Sequence, residues 1–296
     1  MKKSLLETIL DPHQLSVRFQ PIFRIADGEN QIHSVEALIR GPRGTHFESA
    51  EVLFDYVRRK REERAVDHSC LAAICAEAVH LPSDLRINVN VHAATLGQSS
   101  GFVESFRRRV KKHSLSLDRF TVEIVEHAPT CDIPELSHTI AGLRSAGVRI
   151  ALDDVGLGHS NYRMMLDCHP EYFKLDAYFV RGLRDDHKRR AVVESVVTFG
   201  RALRSSVVAE GAESMEDIAI LADMGVEFVQ CNVLCAAVTV EELLTTGSVR
   251  HASPLFISSR EMEKGAAGNV AMLRTGEDPP PFSPNACRWD VRSRMH

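Results

Sequence analysis

The chain has 296 residues, and several features it lacks each remove a class of protein. Its seven cysteines (Cys70, Cys75, Cys131, Cys168, Cys231, Cys235 and Cys287) are odd in number and form no CxxC pair. That argues against a disulfide framework and a zinc finger, and predicts a reducing cytoplasm. There is no strong excess of either charge. The formal net charge of -4 leaves no footprint for long nucleic acid, although a small anion can still be held locally. No apolar run is long enough to span a membrane. Lys2 and Lys3 precede Leu5, Leu6, Ile9 and Leu10 as in a signal peptide, but Glu7 and Asp11 interrupt the apolar stretch. No solenoid-type repeat is present.

What remains is an ordinary globular composition, 44% hydrophobic and 26% charged. Short strand-like runs alternate with longer helical ones. The period predicts strands over Val17–Phe23, His33–Ile39, Leu85–Val91, Phe120–Val125, Val148–Leu152, Tyr172–Leu175, Ser206–Ala209 and Glu227–Gln230. It predicts helices over Ala50–Arg59, Ala65–Val79, Gly101–His113, Ile133–Ala146, Lys188–Leu203, Met215–Met224 and Val240–Thr245. This rhythm matches a (β/α)8 barrel of TIM type, with a doubly wound open sheet as the alternative. The link between Phe23 and His33 is too short for a crossover helix, so the first strand is expected to run antiparallel. Residues 1–14 read as a short helix or extension and 15–247 as the barrel. The Ser-, Gly- and Pro-rich residues 248–296, with Pro279, Pro280, Pro281 and Pro284, read as a partly disordered or loosely docked tail.

Short apolar runs end on acids or their amides: Glu36, Asn90, Glu123, Asp153 with Asp154, and Glu210. In a barrel these strand ends share one mouth. A single acid there is ordinary, but so many together repel one another unless cations bridge them. Oxygen donors without His or Cys favour hard cations such as Mg2+ or Mn2+ over zinc. The number of carboxylates suits two ions, roughly 3.5 to 4 Å apart, the arrangement that serves displacement at phosphorus. Lys174, also at a strand end, either orients the attacking water and offsets phosphoryl charge or is a plain salt-bridging lysine. A lyase with one Mg2+ and Lys174 as base also fits the acids, but leaves Asp154 and Glu210 without a task. The basic runs Arg58–Arg64 and Arg107–Lys112 read as solvated helix faces, and His92 as a support beside Asn90.

Those residues, in that order, closely resemble the EAL family of cyclic di-GMP phosphodiesterases. Phe19-Gln20-Pro21-Ile22 is similar to its YQPI segment, and Glu36-Ala37-Leu38 with Arg40 to its EAL-x-R motif. Asn90 takes the place of its strand-end asparagine. Glu123-Ile124-Val125-Glu126 resembles E-x-T-E, and Asp153-Asp154-Val155-Gly156 resembles DDFG. Lys174-Leu175-Asp176 resembles K-I-D, Ala209-Glu210-Gly211-Ala212-Glu213 resembles AEGVE, and Gln230 the glutamine of QGY. The match runs from about Leu15 to Leu244.

The resemblance implies a barrel with an antiparallel first strand and hydrolysis of cyclic di-GMP to linear pGpG with two Mg2+ or Mn2+ ions. It implies one ion on Glu36, Asn90, Glu123 and Asp153 and a second on Asp153, Asp154 and Glu210. It also implies Lys174 at the nucleophilic water with Glu210 as a base, and support from Glu126 and Glu213. Contacts to the dinucleotide would come from Gln20, Leu38, Arg40 and Gln230. A homodimer is expected, and regulation through the tail, dimerisation or a separate protein partner, since only about fourteen residues precede the first strand. Where the family has QGY, this chain has Gln230-Cys231-Asn232, and losing the aromatic predicts weaker affinity for a guanine. The loop after Asp154, with Val155, Leu157, His159 and Asn161, also departs. A receptor that binds cyclic di-GMP or a protein without cleaving is the alternative function, disfavoured because Glu36, Glu123, Asp153, Asp154 and Lys174 are all kept.

Overall fold

The apolar runs become strands because their β-branched and aromatic side chains are buried on both faces, as parallel strands inside a ring of helices require. The strands are β1 (Ser16–Arg24), β2 (Gln31–Arg40), β3 (Arg86–His92), β4 (Phe120–Val125), β5 (Arg149–Val155), β6 (Tyr172–Leu175), β7 (Ser206–Glu210) and β8 (Phe228–Gln230). They close into a barrel in that order. β1 runs antiparallel to both β2 and β8, and the other neighbours are parallel. The antiparallel start expected from the short link is therefore present. This is a computed structural model, and it describes residues 4–26, 31–98, 101–125, 132–156 and 162–245, all inside one compact unit, Met1–Ser259. The tail expected over 248–296 lies outside the described residues, as do Leu157, His159 and Asn161.

Pro21 sits in the middle of β1, where a proline is normally excluded from a sheet. Phe19, of the same parity, turns its N–H away from β2 to Val238 O at 2.7 Å, and pairing with β8 begins only at Phe23. Pro21 thus falls in the gap between these two partners, so no ladder bond is lost there.

The described helices are α1 (Leu5–Ile9), α2 (Ala50–Lys60), α3 (Glu63–Ala78), α4 (Ala93–Gly97), α5 (Phe102–Lys112), α6 (Ile133–Ser145), α7 (Tyr162–Cys168), α8 (Ala177–Val180), α9 (His187–Leu203), α10 (Met215–Asp223) and α11 (Val240–Thr245). Periodicity finds the long ones to within a residue or two and misses α4, α7 and α8, which are too short to show a period. α5 shows why the pattern works. Phe102, Phe106 and Val110, four apart, are buried against α6 and the barrel, while Arg107, Arg108, Lys111 and Lys112 face water. Each such fully buried apolar side chain is worth roughly 1.5 to 3 kcal/mol. Helix starts are fixed by Asp132, Asp186 and Ser214, whose side chains accept first-turn N–H groups of α6, α9 and α10. Among the described residues no helix is long and apolar enough to cross a membrane.

Candidate active site

Strand register assembles the mouth. Gln20 lies opposite Glu36, Asn90 opposite Glu123, and Glu210 opposite Gln230. From the sixth strand comes Lys174, only 2% exposed. Its Nζ lies 2.7 Å from Glu123 Oε2, 2.7 Å from Glu210 Oε1, 3.1 Å from Glu36 Oε2 and 3.3 Å from Asp153 Oδ1. One ammonium thus faces four carboxylates, and a buried floor cannot keep that imbalance without further positive charge or protonation of some of the acids.

Amides complete the floor. Asn90 donates to Glu36 Oε1 at 2.6 Å, Gln230 to Glu36 Oε2 at 2.7 Å, and Asn88 to Glu123 Oε1 at 2.7 Å. Gln230 also donates to Gln20 Oε1 at 3.1 Å, and Gln20 in turn donates to Asn232 Oδ1 at 3.1 Å and Cys235 O at 3.3 Å. A polar chain therefore runs from the rim to a carboxylate on the floor. Asn88 was not singled out from sequence as a site residue. Its position two before Asn90, hence on the same strand face, was the available signal.

Electrostatics follow the imbalance. Burial would push the Lys174 ammonium down, but Asp153, Glu123, Glu210 and Glu36 outweigh it and hold its pKa well above the ordinary lysine value. Burial works against the Glu36 carboxylate too, and there Lys174 with the amides of Gln230 and Asn90 wins, so its pKa is lowered. At Glu123 burial and the adjacent Glu36 charge prevail, raising its pKa well above the carboxylate range. Glu210 is pushed up to about 8 by burial, with Lys174 opposing and Asp153 adding to the rise. The protein alone cannot ionise every acid here at neutral pH.

A hard divalent cation fits this donor set. Asn90 uses its N–H on Glu36 and leaves Oδ1 buried with no partner among the described residues, which is what an oxygen ligand to a cation looks like. Oxygens of Asp153, Asp154 and Glu210 lie within 4.8 Å of one another. Asp153, Asp154 and Glu210 are the three residues expected from sequence on the second ion.

The adjacent aspartates need explaining, because successive strand residues normally face opposite ways. Asp154 has φ +51°, and the register between β5 and β6 shifts between Leu152 and Val155. This left-handed residue in an irregular strand end turns both carboxylates to one side, a conformation Asp tolerates better than most residues. Gly156 follows at φ +101°, where a Cβ would lie 2.5 Å from the Phe179 ring. Only glycine fits, which gives the Asp153–Gly156 run a physical reason.

Two cavities flank the floor and share Asp153. One, of about 320 Å3, is lined by Gln20, Glu36, Leu38, Lys174, Glu210 and Gln230 among others. The other, of about 340 Å3, holds Asn90, Asp154, His92, Phe54 and Arg58. His92 is fixed there by Asp67, which accepts its backbone N–H at 3.1 Å and lies 2.8 Å from its Nδ1; Thr95 Oγ1 donates to the same carboxylate at 2.5 Å. Nothing in the sequence flagged Asp67, an acid inside α3 whose partner is 25 residues away. Arg58, read from sequence as part of a solvated face, is half-buried and lines this cavity instead, since α2 turns that edge toward the mouth.

Two expected residues lie elsewhere. Arg40 lines a separate groove with Arg18 and Arg43 and donates to Ile39 O at 2.9 Å. The Glu213 side chain is exposed and faces Arg181 at 3.3 Å rather than the floor. Glu126 lies outside the described residues.

A family model described as EAL domain matches residues 3–236. The chain belongs to the EAL-domain family. The cyclic di-GMP phosphodiesterase NbdA of Pseudomonas aeruginosa is 26% identical over 235 residues, covering 78% of this chain but only 30% of NbdA. The EAL chain is thus similar to about a third of that longer relative. Among solved structures, the PaMucR phosphodiesterase in its c-di-GMP complex superposes with a TM-score of 0.71 at 25% identity, covering 80% of this chain and 97% of that one. Klebsiella pneumoniae BlrP1, in a manganese and cy-diGMP complex, gives 0.66 at 26% identity over 77% of this EAL chain and 56% of its own.

Proposed function

We propose that this EAL chain hydrolyses cyclic di-GMP to linear pGpG with two divalent cations, Mg2+ or Mn2+. The observation that carries the reading is Lys174, buried among Glu36, Glu123, Asp153 and Glu210, beside the Asp153, Asp154 and Glu210 oxygens that converge within 4.8 Å. Relatives named as cyclic di-GMP phosphodiesterases support the substrate.

Glu36, Asn90, Glu123 and Asp153 would hold one cation, and Asp153, Asp154 and Glu210 the other. Bound there, the cations would acidify water and neutralise charge growing on the phosphoryl oxygens. Lys174 donates N–H to the attacking water and the phosphoryl oxygen, and its fixed charge needs no reorganisation during the reaction. Glu210 accepts the proton of that water. Gln230 and Asn90 orient Glu36 through its two oxygens, and Gln20 couples that pair to the rim. Gln20, Leu38, Arg40 and Gln230 contact the dinucleotide, and the active form is a homodimer.

The test is turnover of cyclic di-GMP by purified protein with Mg2+ or Mn2+, followed as pGpG by chromatography. Wild type forms pGpG; Glu36→Ala and Lys174→Ala lose at least about a thousandfold, as expected for removing groups that act as a unit. Binding of cyclic di-GMP by wild type without any linear product sinks the reading in favour of a receptor.

A further inference from the structure

Below the floor the inward strand faces continue for one more layer, at the closed end of the barrel. Arg86 lies two residues before Asn88 on β3, Tyr172 two before Lys174 on β6, and Phe228 two before Gln230 on β8. Arg149 of β5 stands opposite Thr121, itself two before Glu123. These four share the face of the floor residues and lie one step, roughly 6 to 7 Å, farther from the mouth. Arg24 ends β1 opposite Phe228. His33 joins them through a bulge, because Ile22 pairs with Ser34 and Phe23 with Ile32, which leaves His33 over between them. Its ring sits 4.2 Å from that of Phe228, and its Nε2 lies 3.0 Å from Tyr172 Oη.

Charge in this layer has one sign. The acids nearest to it are engaged elsewhere: Glu171 holds Arg144 and the Ile150 N–H, Glu227 accepts the Val207 N–H, and Asp84 and Asp118 act on Arg119. Arg149 donates to Asp118 O at 3.0 Å. Arg86 is half-buried, yet it has neither a hydrogen bond nor an ion pair among the described residues. A guanidinium withdrawn from water without an acceptor is costly. The three arginines also converge, since burial and then Arg86, Arg149 and Arg24 bring the His33 pKa down to about 4.

We propose that this layer is an anion site at the closed end, taking a phosphate group on the guanidiniums of Arg86, Arg149 and Arg24. An eight-stranded barrel is only wide enough inside for side chains, so the occupant is a compact oxyanion rather than a peptide or a nucleic-acid strand. Guanidinium forks match the oxygens of phosphate. The group belongs to free phosphate or to a mononucleotide, and it is bound without the metal centre, which lies a layer away.

The experiment titrates inorganic phosphate into the full chain in EDTA, near neutral pH and at constant ionic strength. It reads the melting temperature and the His33 ring resonance, which His33→Gln assigns. At about ten times its Kd, phosphate raises the melting temperature of wild type by about 3 °C. The His33 resonance moves saturably with the same Kd. Arg86→Gln weakens phosphate at least about tenfold by both readings, as loss of one charge-assisted contact requires. The resonance is read in wild type, so the test stands even where the variant does not fold. A parallel titration with GMP separates the sources: binding at least about tenfold tighter than phosphate assigns the site to a nucleotide, and binding no tighter assigns it to the free ion. A phosphate effect unchanged in Arg86→Gln overturns the proposal. A rise in melting temperature that leaves the His33 resonance still does so too, because the ion then sits elsewhere.

Discussion

The floor and the rim of this mouth carry opposite charge problems on the same strands. On the floor, four carboxylates share Lys174. Two residues outward from Gln20 and Leu38, Arg18 and Arg40 join Arg43 in a groove whose one acid is tied to its own loop. The floor holds more carboxylates than cations, and the rim more guanidiniums than carboxylates. A phosphodiester held by divalent ions offsets both at once, so the gradient from floor to rim orients the ligand before any base contact is made. The floor is dry and its charges strongly coupled; the rim is wet, and each charge there counts for less.

Removing the floor's cation should break this contrast most severely. Lys174→Met leaves the Glu36 carboxylate buried with no counter-charge, which costs about 3 to 5 kcal/mol. For a barrel of this size that lowers the melting temperature by roughly 10 °C in EDTA. Mn2+ should restore more stability to the variant than it adds to wild type, because the ion then carries the whole compensation. A variant that melts like wild type in EDTA would mean the acids are already protonated and the contrast is not real.

The next effect is geometric. Gly156→Ala must hold φ near +101° and drive a Cβ to 2.5 Å from Phe179. The strain costs about 2 to 3 kcal/mol. Displacing Asp153 and Asp154 by as little as an ångström should cut turnover about a hundredfold while leaving substrate affinity at the rim nearly intact. Combining it with Phe179→Leu should recover the part of the stability lost to the ring contact but not turnover, since the backbone strain remains. Recovery of both would place the burden on the ring contact alone.

Much of this was legible in the sequence for a definite reason. On each parallel strand a polar residue that interrupts or follows an apolar run enters the mouth, so Glu36, Asn90, Glu123, Lys174 and Glu210 stand out in the sequence, although only Glu210 ends its strand. The antiparallel first strand followed from chain length alone. The backbone that brings Asp154 beside Asp153 did not follow, because a left-handed non-glycine leaves no trace in hydrophobic period, and β5 accordingly runs three residues past its expected end to Val155. The place of Arg40 was not legible for another reason. Spacing gives the face of a strand but not how far along it the cavity extends, so a residue of the right parity opens another groove. Asp67 and Arg58 depend on helix packing across the mouth, which no local pattern encodes.

The closed end of the barrel offers a control with the opposite sign. His33 packs 4.2 Å from the Phe228 ring and lies 3.0 Å from Tyr172 Oη. Burial, aided by Arg86, Arg149 and Arg24, lowers its pKa to about 4. The folded value lies below the ordinary one near 6.5, so as pH falls the unfolded chain takes the proton first. Its contribution is complete above about pH 6.5 and disappears between there and about 4, worth about 2 kcal/mol after allowance for partial exposure. His33→Gln keeps a hydrogen-bonding group without titrating. Urea melts of wild type and variant should therefore converge in that window, and parallel curves would remove His33 from the account.

The smallest change tests whether floor and rim can be separated at all. Asn232 is exposed, and its Oδ1 accepts from Gln20 Nε2 at 3.1 Å, while Cys235 O accepts from the same nitrogen at 3.3 Å. Asn232→Tyr would give up one acceptor and keep the other, so Gln20 and the Gln230–Glu36 chain behind it stay in place. An aromatic at this position adds a stacking surface for a guanine, about 1 kcal/mol at an exposed site, or roughly fivefold in affinity. No floor residue moves, so KM for cyclic di-GMP should fall about fivefold with kcat unchanged. A change in kcat instead would mean that the Gln20–Gln230–Glu36 chain transmits rim contacts to the metal ligands, and that the two regions act as one.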